Sequence, residues 1–373
     1  MNYPFLIIFF LFQVSFIIQL YYTLIVHQRL AAFEVPESGN GATIQHPVSV
    51  IICARNEYAN LSTKLQFFLE QEYPVFEVVV VNDCSNDESG VLLRQLSSQY
   101  SHLKVVTIAE HERFKHGKKF AVTLGIKASK YEHLLFTDAD CIPSGKNWIN
   151  RMQSNFGLNK EIVLGYSPYE KFTGFVNKLI RFETFFTALN YLSFALDGRP
   201  YMGVGRNMAY TKSLFFKCKG FASHMHVLSG DDDLFVNQNA TTTNTVIEIH
   251  PEAQIWSEPK KTFSAYFKQK LRHQGAGKIY RREHKTMLSL QAGSAILFYV
   301  ALILLIIMQG QWWFLLALYL IRLISQILIY YPVFKKLNYT DLILWLPAFD
   351  IIYYFYIVAL RIVVLFKKNI EWK

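Results

Sequence analysis

Long apolar runs occupy both ends of the chain, and shorter strand-like and helix-like patterns alternate between them. Pro4–Val26 carries no charged side chain and is long enough to cross a bilayer as a helix, which takes about 20 apolar residues. No Lys or Arg precedes it, and it is long for the core of a secretory signal, so the pattern predicts a retained anchor rather than a cleaved leader. Leu288–Met308 and Trp312–Val333 predict two more spans. Leu342–Phe366 predicts a third, and its Pro347, Asp350 and Arg361 leave a kinked span, two half-spans and a partly interfacial segment all open.

The middle reads differently. Val48–Cys53, Val78–Val81, Leu103–Ile108 and Leu134–Phe136 are short unbroken apolar runs, as in strands covered on both faces. Between them, Leu61, Leu65 and Phe68, then Leu92 and Leu96, then Ala121, Leu124 and Ala128 recur at helical spacing. Strand–helix alternation of this kind predicts an α/β domain with a mostly parallel sheet, and such sheets bind ligands at the carboxyl ends of their strands. The organisation expected is a membrane helix over 1–30, a polar linker over 31–46, an α/β domain over 47–285 and about three membrane segments over 286–373. Two further stretches combine basic residues with aromatic stripes at helical spacing. One holds Phe175, Leu179, Phe182, Phe186 and Leu189 beside Lys178 and Arg181. The other holds Phe263, Tyr266, Phe267 and Leu271 among Lys260, Lys261, Lys268 and Arg272. Each fits either a helix lying in the headgroup plane or one turned to a core.

Composition adds to this picture. Hydrophobic residues make up 52% of the 373 positions, above the usual ~45–50%. The end runs account for the excess. The net charge of +10 comes largely from basic residues that flank apolar runs, which suits anionic headgroups; no nucleic-acid-binding motif is present. Arg29 and the stretch Lys278–Lys285 both border the α/β domain, which places it on the cytoplasmic side, in a bacterial inner membrane or its equivalent. Lys335 and Lys336 would then face in, whereas a fourth full span would carry the basic tail Lys367-Lys368 outside, against the same rule. The four cysteines form no CxxC pair, so neither a structural zinc site nor a disulfide framework is expected. A small-molecule transporter is disfavoured, because most of the chain is soluble-type α/β pattern.

Three polar clusters follow three of the strand runs. Asp138-Ala-Asp140 ends the fourth, and two carboxylates so spaced can share a hard divalent cation that substrate phosphate oxygens complete. Asn82-Asp83-Cys84-Ser85 follows the second; Asp83 can accept a hydrogen bond from a nucleotide base or simply cap the next helix. Glu57 closes the first and can serve the same pocket. Gly117-Lys118-Lys119 opens a helix where a lysine can pair with phosphate or lie in a solvated turn. Further on, Asp231, Asp232 and Asp233 stand together, and crowding of three carboxylates raises at least one pKa, as a general base requires; an acid-rich helix start is the alternative. Gln269 and Arg272 share a helix face, where the arginine can grip diphosphate.

Taken in order, VSVIICARNE, VVVVNDCSNDES, GKKFAVTLG, LLFTDADC, SGDDDLF and EPKKT…QKLRH resemble the membrane-bound members of glycosyltransferase family 2, such as ceramide glucosyltransferases and hyaluronan, chitin and cellulose synthases. The resemblance covers Val48 to His273. It implies a GT-A (Rossmann-like) nucleotide-sugar-binding fold, Mg²⁺ or Mn²⁺ as cofactor, and inverting transfer. On it, Asp83 and Glu57 are base contacts, Lys118 a donor-site residue, Asp138 the carboxylate nearer the ribose or sugar, and Asp140 the metal ligand. Asp232 best matches the catalytic base, with Asp231 and Asp233 as alternatives because the cluster is one residue short before its leucine. Gln269 and Arg272 match a QxxRW motif, in which His273 replaces the Trp. The acceptor expected is a membrane lipid or lipid-linked saccharide, with a growing polysaccharide as one alternative and a non-catalytic nucleotide-sugar-binding membrane protein as another. UDP is the default nucleotide.

Overall fold

A computed structural model describes residues 3–36, 45–109, 117–157, 159–227, 229–273 and 275–366. Its centre is a seven-stranded sheet of order β3-β2-β1-β4-β7-β6-β8. The strands are β1 (Val48–Ala54), β2 (Phe76–Asp83), β3 (Leu103–Ile108), β4 (His133–Asp138), β6 (Ile162–Gly165), β7 (Met208–Thr211) and β8 (Thr245–Glu248), while β5 (Cys141–Pro143) pairs apart with β9 (Ile255–Ser257). β1 runs parallel to both β2 and β4, and β2 to β3; β7 is antiparallel to β4 and β6. All four expected strands are present, each extended by up to a few residues.

The helices in chain order are α1 (Tyr3–Ala32), α2 (Tyr58–Leu69), α3 (Ser89–Gln99), α4 (Lys118–Ala128), α5 (Trp148–Gln153), α6 (Phe175–Leu196), α7 (Lys212–Lys217), α8 (Asp233–Asn239), α9 (Phe263–His273), α10 (Arg282–Ile307), α11 (Trp312–Lys336) and α12 (Leu346–Phe366). Val78, Val79, Val80 and Val81 are all fully buried, although successive side chains point to opposite faces. Both faces of the sheet are therefore covered, and each such valine contributes roughly 1.5–3 kcal/mol of burial. Helix α4 lies very close to one face: a Cβ on Gly125 would stand 2.8 Å from Ile51 Cγ2 and 3.0 Å from Val81 Cγ2, so only glycine lets the helix settle there.

Four helical segments are long and apolar enough to cross a membrane: Tyr3–Ala32, Arg282–Ile307, Trp312–Lys336 and Thr340–Val364. The last covers the third C-terminal run, of which Leu346–Phe366 is one unbroken helix. A 3₁₀ turn, Thr340–Trp345, leads directly into α12, with Pro347 in its first turn, where a missing N–H costs nothing. Its Asp350 is not a stray charge: Arg322 Nη1 of α11 lies 2.8 Å away, and both side chains are almost fully enclosed. The ends of α1 and α11 next to the α/β domain are tied together. Lys336 Nζ donates to the carbonyls of Leu30, Ala31 and Phe33, capping the free C-terminal carbonyls of α1. The tail Lys367-Lys368 and half of the linker, residues 37–44, lie outside the described residues.

The aromatic stripe of α6 is buried against protein from Leu179 onward, while Phe175 at its start is 51% exposed. Phe185 stacks on Phe334 at 3.7 Å, Phe186 meets Tyr353 and Phe182 meets Phe349, so α6 presses the α/β domain onto α11 and α12. The second stripe docks likewise, with Tyr266 of α9 buried and stacked on Tyr356 of α12. Both stripes thus pack largely against intrachain partners, the core-facing one of the two options left open by the sequence.

Candidate active site

The ends of β1 and β2 are stitched into one rim. Asn56 N donates to Ser85 Oγ at 3.0 Å, Asn86 N to Asn56 Oδ1 at 2.8 Å, and Tyr58 N to Asp87 Oδ2 at 3.0 Å. Asn56 and Cys84 both take positive φ, 55° and 52°. Asparagine tolerates that region, whereas Cys84 is strained by about 1 kcal/mol or more, as is common beside functional sites. Asp87 accepts from Ser89 N at 3.0 Å and so holds the start of α3. Asp83 is therefore not that cap. It is buried, and its Oδ1 has no hydrogen-bond partner among the described residues. Burying an unpaired acceptor is costly, so the pocket is shaped for a donor from elsewhere, as a nucleotide base would provide.

Across the rim, Lys118 at the start of α4 joins the two acid clusters. Its Nζ lies 2.7 Å from Asp138 Oδ1 and 3.4 Å from Asp231 Oδ2. Burial works against its charge, but Asp138, Asp231 and Asp232 outweigh burial and hold its pKa well above the ordinary lysine value. The solvated-turn reading of Gly117–Lys119 fails for a second reason: Lys119 is buried and donates to the carbonyls of His224 and Val227, bracing the segment that leads to the second acid cluster. Lys118, Asp138, Asp231 and Asp232 line one cleft, floored by Ile51, Phe136 and other apolar side chains of the sheet.

Each aspartate of the cluster is held differently. Asp232 Oδ2 accepts from Gly205 N at 2.8 Å and Oδ1 from Asp233 N at 2.7 Å, which makes it the cap of α8. Asp233 points away from the cleft and accepts from Tyr280 Oη at 2.8 Å. Asp231 pairs with Lys118 and accepts no backbone hydrogen bond among the described residues. Burial, then the neighbouring Asp231 charge, raises the pKa of Asp232; burial, then Asp232, raises that of Asp233. The crowding expected from the sequence is present.

Asp138 ends β4, and Asp140 follows it in the turn before β5. Burial raises the Glu57 pKa, opposed by the Asn60 hydrogen bond, and the charges of Asp140 and Asp138 raise it further, so Glu57 shares their field. Among the described residues no group of three or more His, Cys, Asp or Glu side chains could hold a metal unaided. Two adjacent carboxylates with oxygen-only donors nevertheless fit Mg²⁺ or Mn²⁺, ions that complete their shell with diphosphate and water. Gln269 lies half-buried on α9, whose neighbouring Lys270 pairs with Glu183 of α6, and no hydrogen bond joins Gln269 to the acid clusters. The side chains of Arg272 and His273 lie outside those described.

Two contributors were missed at the sequence level. Gly205 supplies the N–H that fixes Asp232, and Tyr280 restrains Asp233. The run Gly203-Val-Gly205-Arg206-Asn207 was the available signal, since paired glycines before a short strand mark a close backbone approach.

Fold and site together define an α/β domain that gathers acidic side chains and one lysine at strand ends and helix starts, joined to long apolar helices. Residues 49–219 match the model of "Glycosyl transferase family 2". The chain is 35% identical over 121 residues to glycosyltransferase AglE of Haloferax volcanii, a match covering 32% of this chain and 38% of that protein. It is 26% identical over 237 residues to the probable glycosyltransferase YdaM of Bacillus subtilis, covering 60% of this chain and 54% of the relative. It thus spans well under two thirds of the length of either. Among solved structures, a mannosyltransferase from Pyrobaculum calidifontis, in complex with GDP-Man and Mn²⁺, superposes with a TM-score of 0.63 at 17% identity, over 98% of this chain and 99% of that one. Residues 49–219, a little under half of the chain, are thus similar to glycosyl transferase family 2, and the chain has the GT-A fold.

Proposed function

We propose that this chain is an inverting glycosyltransferase that moves a sugar from a nucleoside-diphosphate donor to a lipid or lipid-linked acceptor at the membrane surface, with its α/β domain in the cytoplasm. The observation that carries this reading is the Lys118 ammonium, which joins Asp138 of the first acid cluster to Asp231 of the second across one cleft. Donor-binding and proton-accepting carboxylates are thereby within a single site.

Asp138 and Asp140 would hold Mg²⁺ or Mn²⁺, which offsets the charge of the departing diphosphate when bound. Asp83 accepts from the base and Glu57 lines the same pocket. Asp231 is the general base in this reading, in preference to Asp232. Its support is that both Asp232 oxygens accept backbone N–H groups, whereas Asp231, among the described residues, carries only the Lys118 contact. The acceptor hydroxyl gives its proton to Asp231 as its oxygen attacks the anomeric carbon. The bond from that carbon to the diphosphate oxygen breaks, and the electron pair leaves with the nucleoside diphosphate. Lys118 stands beside both carboxylates, poised to follow the negative charge to the leaving group. Four membrane-length helices, with α6 and α9 docked on them, support an acceptor delivered along the bilayer.

The test is transfer from radiolabelled UDP- and GDP-sugars in purified membranes with Mn²⁺ or Mg²⁺, the guanine donors included because the superposing mannosyltransferase holds GDP-Man. Label should enter a small lipid-soluble product, and Asp140→Ala should abolish it. Asp231→Asn should lower transfer by roughly 10²–10⁴-fold, the usual worth of a general base. A large polymeric product, or full activity in folded Asp231→Asn, would overturn the corresponding part of the reading.

A further inference from the structure

Arg206 lies between the metal-type carboxylates and the membrane-facing side of the domain, and neither the family motifs nor the reaction scheme uses it. Its guanidinium stacks on the Tyr169 ring at 4.3 Å, and Nη2 reaches the Ser167 carbonyl at 3.4 Å. Nη1 is buried and has no hydrogen-bond partner among the described residues, and no carboxylate there lies within ion-pair distance of Arg206. Tyr169 bridges to Ser257, which pairs with Cys141 next to Asp140, so Arg206, stacked on Tyr169, lies at the corner of the metal-type carboxylates.

Its placement is rigid. On one side, Gly205 N is committed to Asp232. On the other, Asn207 donates to the carbonyls of Tyr166 and Ala253 and accepts from Trp148 Nε1. Tyr169 is fixed in turn, because its N–H donates to Tyr339 Oη at 2.7 Å in the turn between α11 and α12. Arginine cannot shed its charge, and an enclosed guanidinium with an idle donor is expensive unless an anion completes it. A planar guanidinium fixed over an aromatic ring is also well suited to phosphate or carboxylate oxygens.

We propose that Arg206 is a substrate-oxyanion site: Nη1 binds a phosphate or carboxylate oxygen that reaches the cleft beside Asp138 and Asp140. The oxygen comes from the donor's diphosphate or from an acidic group on the acceptor. This rests on the glycosyltransferase reading only for the donor source.

The test uses the full chain in lipid nanodiscs, as wild type, Arg206→Gln and Arg206→Lys. Three probes are titrated: a nucleoside (uridine or guanosine), its diphosphate with Mn²⁺, and dodecyl phosphate against dodecanol. Arg206→Gln should weaken one phosphate probe by at least about tenfold, the worth of a lost charge-assisted hydrogen bond. Nucleoside binding should hold within about twofold, and Arg206→Lys should recover part of the loss. Loss confined to the nucleoside diphosphate assigns the donor, and loss confined to dodecyl phosphate assigns the acceptor. Unchanged binding of both phosphate probes overturns the proposal. So does a parallel loss of nucleoside binding, which would mark a merely structural arginine. A wild type that binds neither nucleoside nor diphosphate defeats the donor reading alone, and the dodecyl phosphate arm still decides Arg206.

Discussion

Arg181 and Asp341 form the joint between the α/β domain and the membrane helices, and their unequal burial makes a quantitative prediction. Arg181 of α6 donates to both carboxylate oxygens of Asp341, at 2.9 and 2.7 Å, and lies 4.7 Å from the Tyr339 ring centroid. Its side chain is 2% exposed, against 29% for Asp341, which also meets Lys171 at 3.2 Å. Asp341→Ala strands an enclosed guanidinium, a defect that costs about 3–5 kcal/mol. Lys171 loses a partner too, but such an exposed pair is worth at most about 1 kcal/mol. Arg181→Met removes the enclosed charge and fills its space, while Asp341 retains Lys171 and water, so the cost should be about 1 kcal/mol. The double variant Arg181→Met/Asp341→Ala should recover most of what Asp341→Ala loses. Melting followed by intrinsic fluorescence in detergent micelles reads all four proteins. The reasoning is refuted if Asp341→Ala melts no lower than Arg181→Met, or if the double variant is no better than Asp341→Ala.

Asp233 offers a pH signature. Its folded pKa lies above the ordinary 3.8, first from burial and then from Asp232, so its protonated form is favoured in the fold. The associated stability is complete below the ordinary value and is lost as pH rises through the raised one. Asp233→Asn keeps an acceptor for Tyr280 and should melt higher than wild type at pH 8, with the gap closing toward pH 4; parallel pH curves would refute the assignment. Asp83→Ala should weaken nucleoside binding by roughly tenfold or more, while leaving melting unchanged or slightly raised because a buried idle acceptor is removed. Unaltered nucleoside competition would show that Asp83 does not touch the base.

Much of the fold was legible because its signals are local. Four apolar strand runs, helical spacing between them and four membrane-length stretches depend only on neighbours in sequence, and they match β1 to β4, α2 to α4 and the four long helices. The end of the sheet was not legible: β6, β7 and β8 have only four residues each, too short for a period to stand out. The same divide runs through the site. Acid clusters at a strand end and a helix start announce themselves, and family order ranks them. Which aspartate faces the cleft depends instead on Gly205 and Tyr280, 27 and 47 positions from the residues they hold, and no spacing rule carries that. Asp350 made the last apolar run look doubtful because its partner, Arg322, belongs to a different helix.

The aromatic helix α6 was ambiguous for a physical reason that bears on how the site works. Its apolar face matches lipid and protein equally well, so composition alone cannot choose between them. The choice is made by Phe334, Phe349 and Tyr353 on the membrane helices and by the turn between α11 and α12. That turn enters the α/β domain: the Leu337 carbonyl accepts from Tyr166 Oη, Asn338 donates to Gln254, and Tyr339 takes the Tyr169 N–H. The segment Tyr166–Tyr169 so anchored also carries the ring beneath Arg206. A continuous run of packed and hydrogen-bonded groups therefore leads from the long apolar helices to the corner of Asp138 and Asp140. On the proposed reading, a cleft tied to these helices meets its acceptor at the height of the bilayer surface rather than in bulk water.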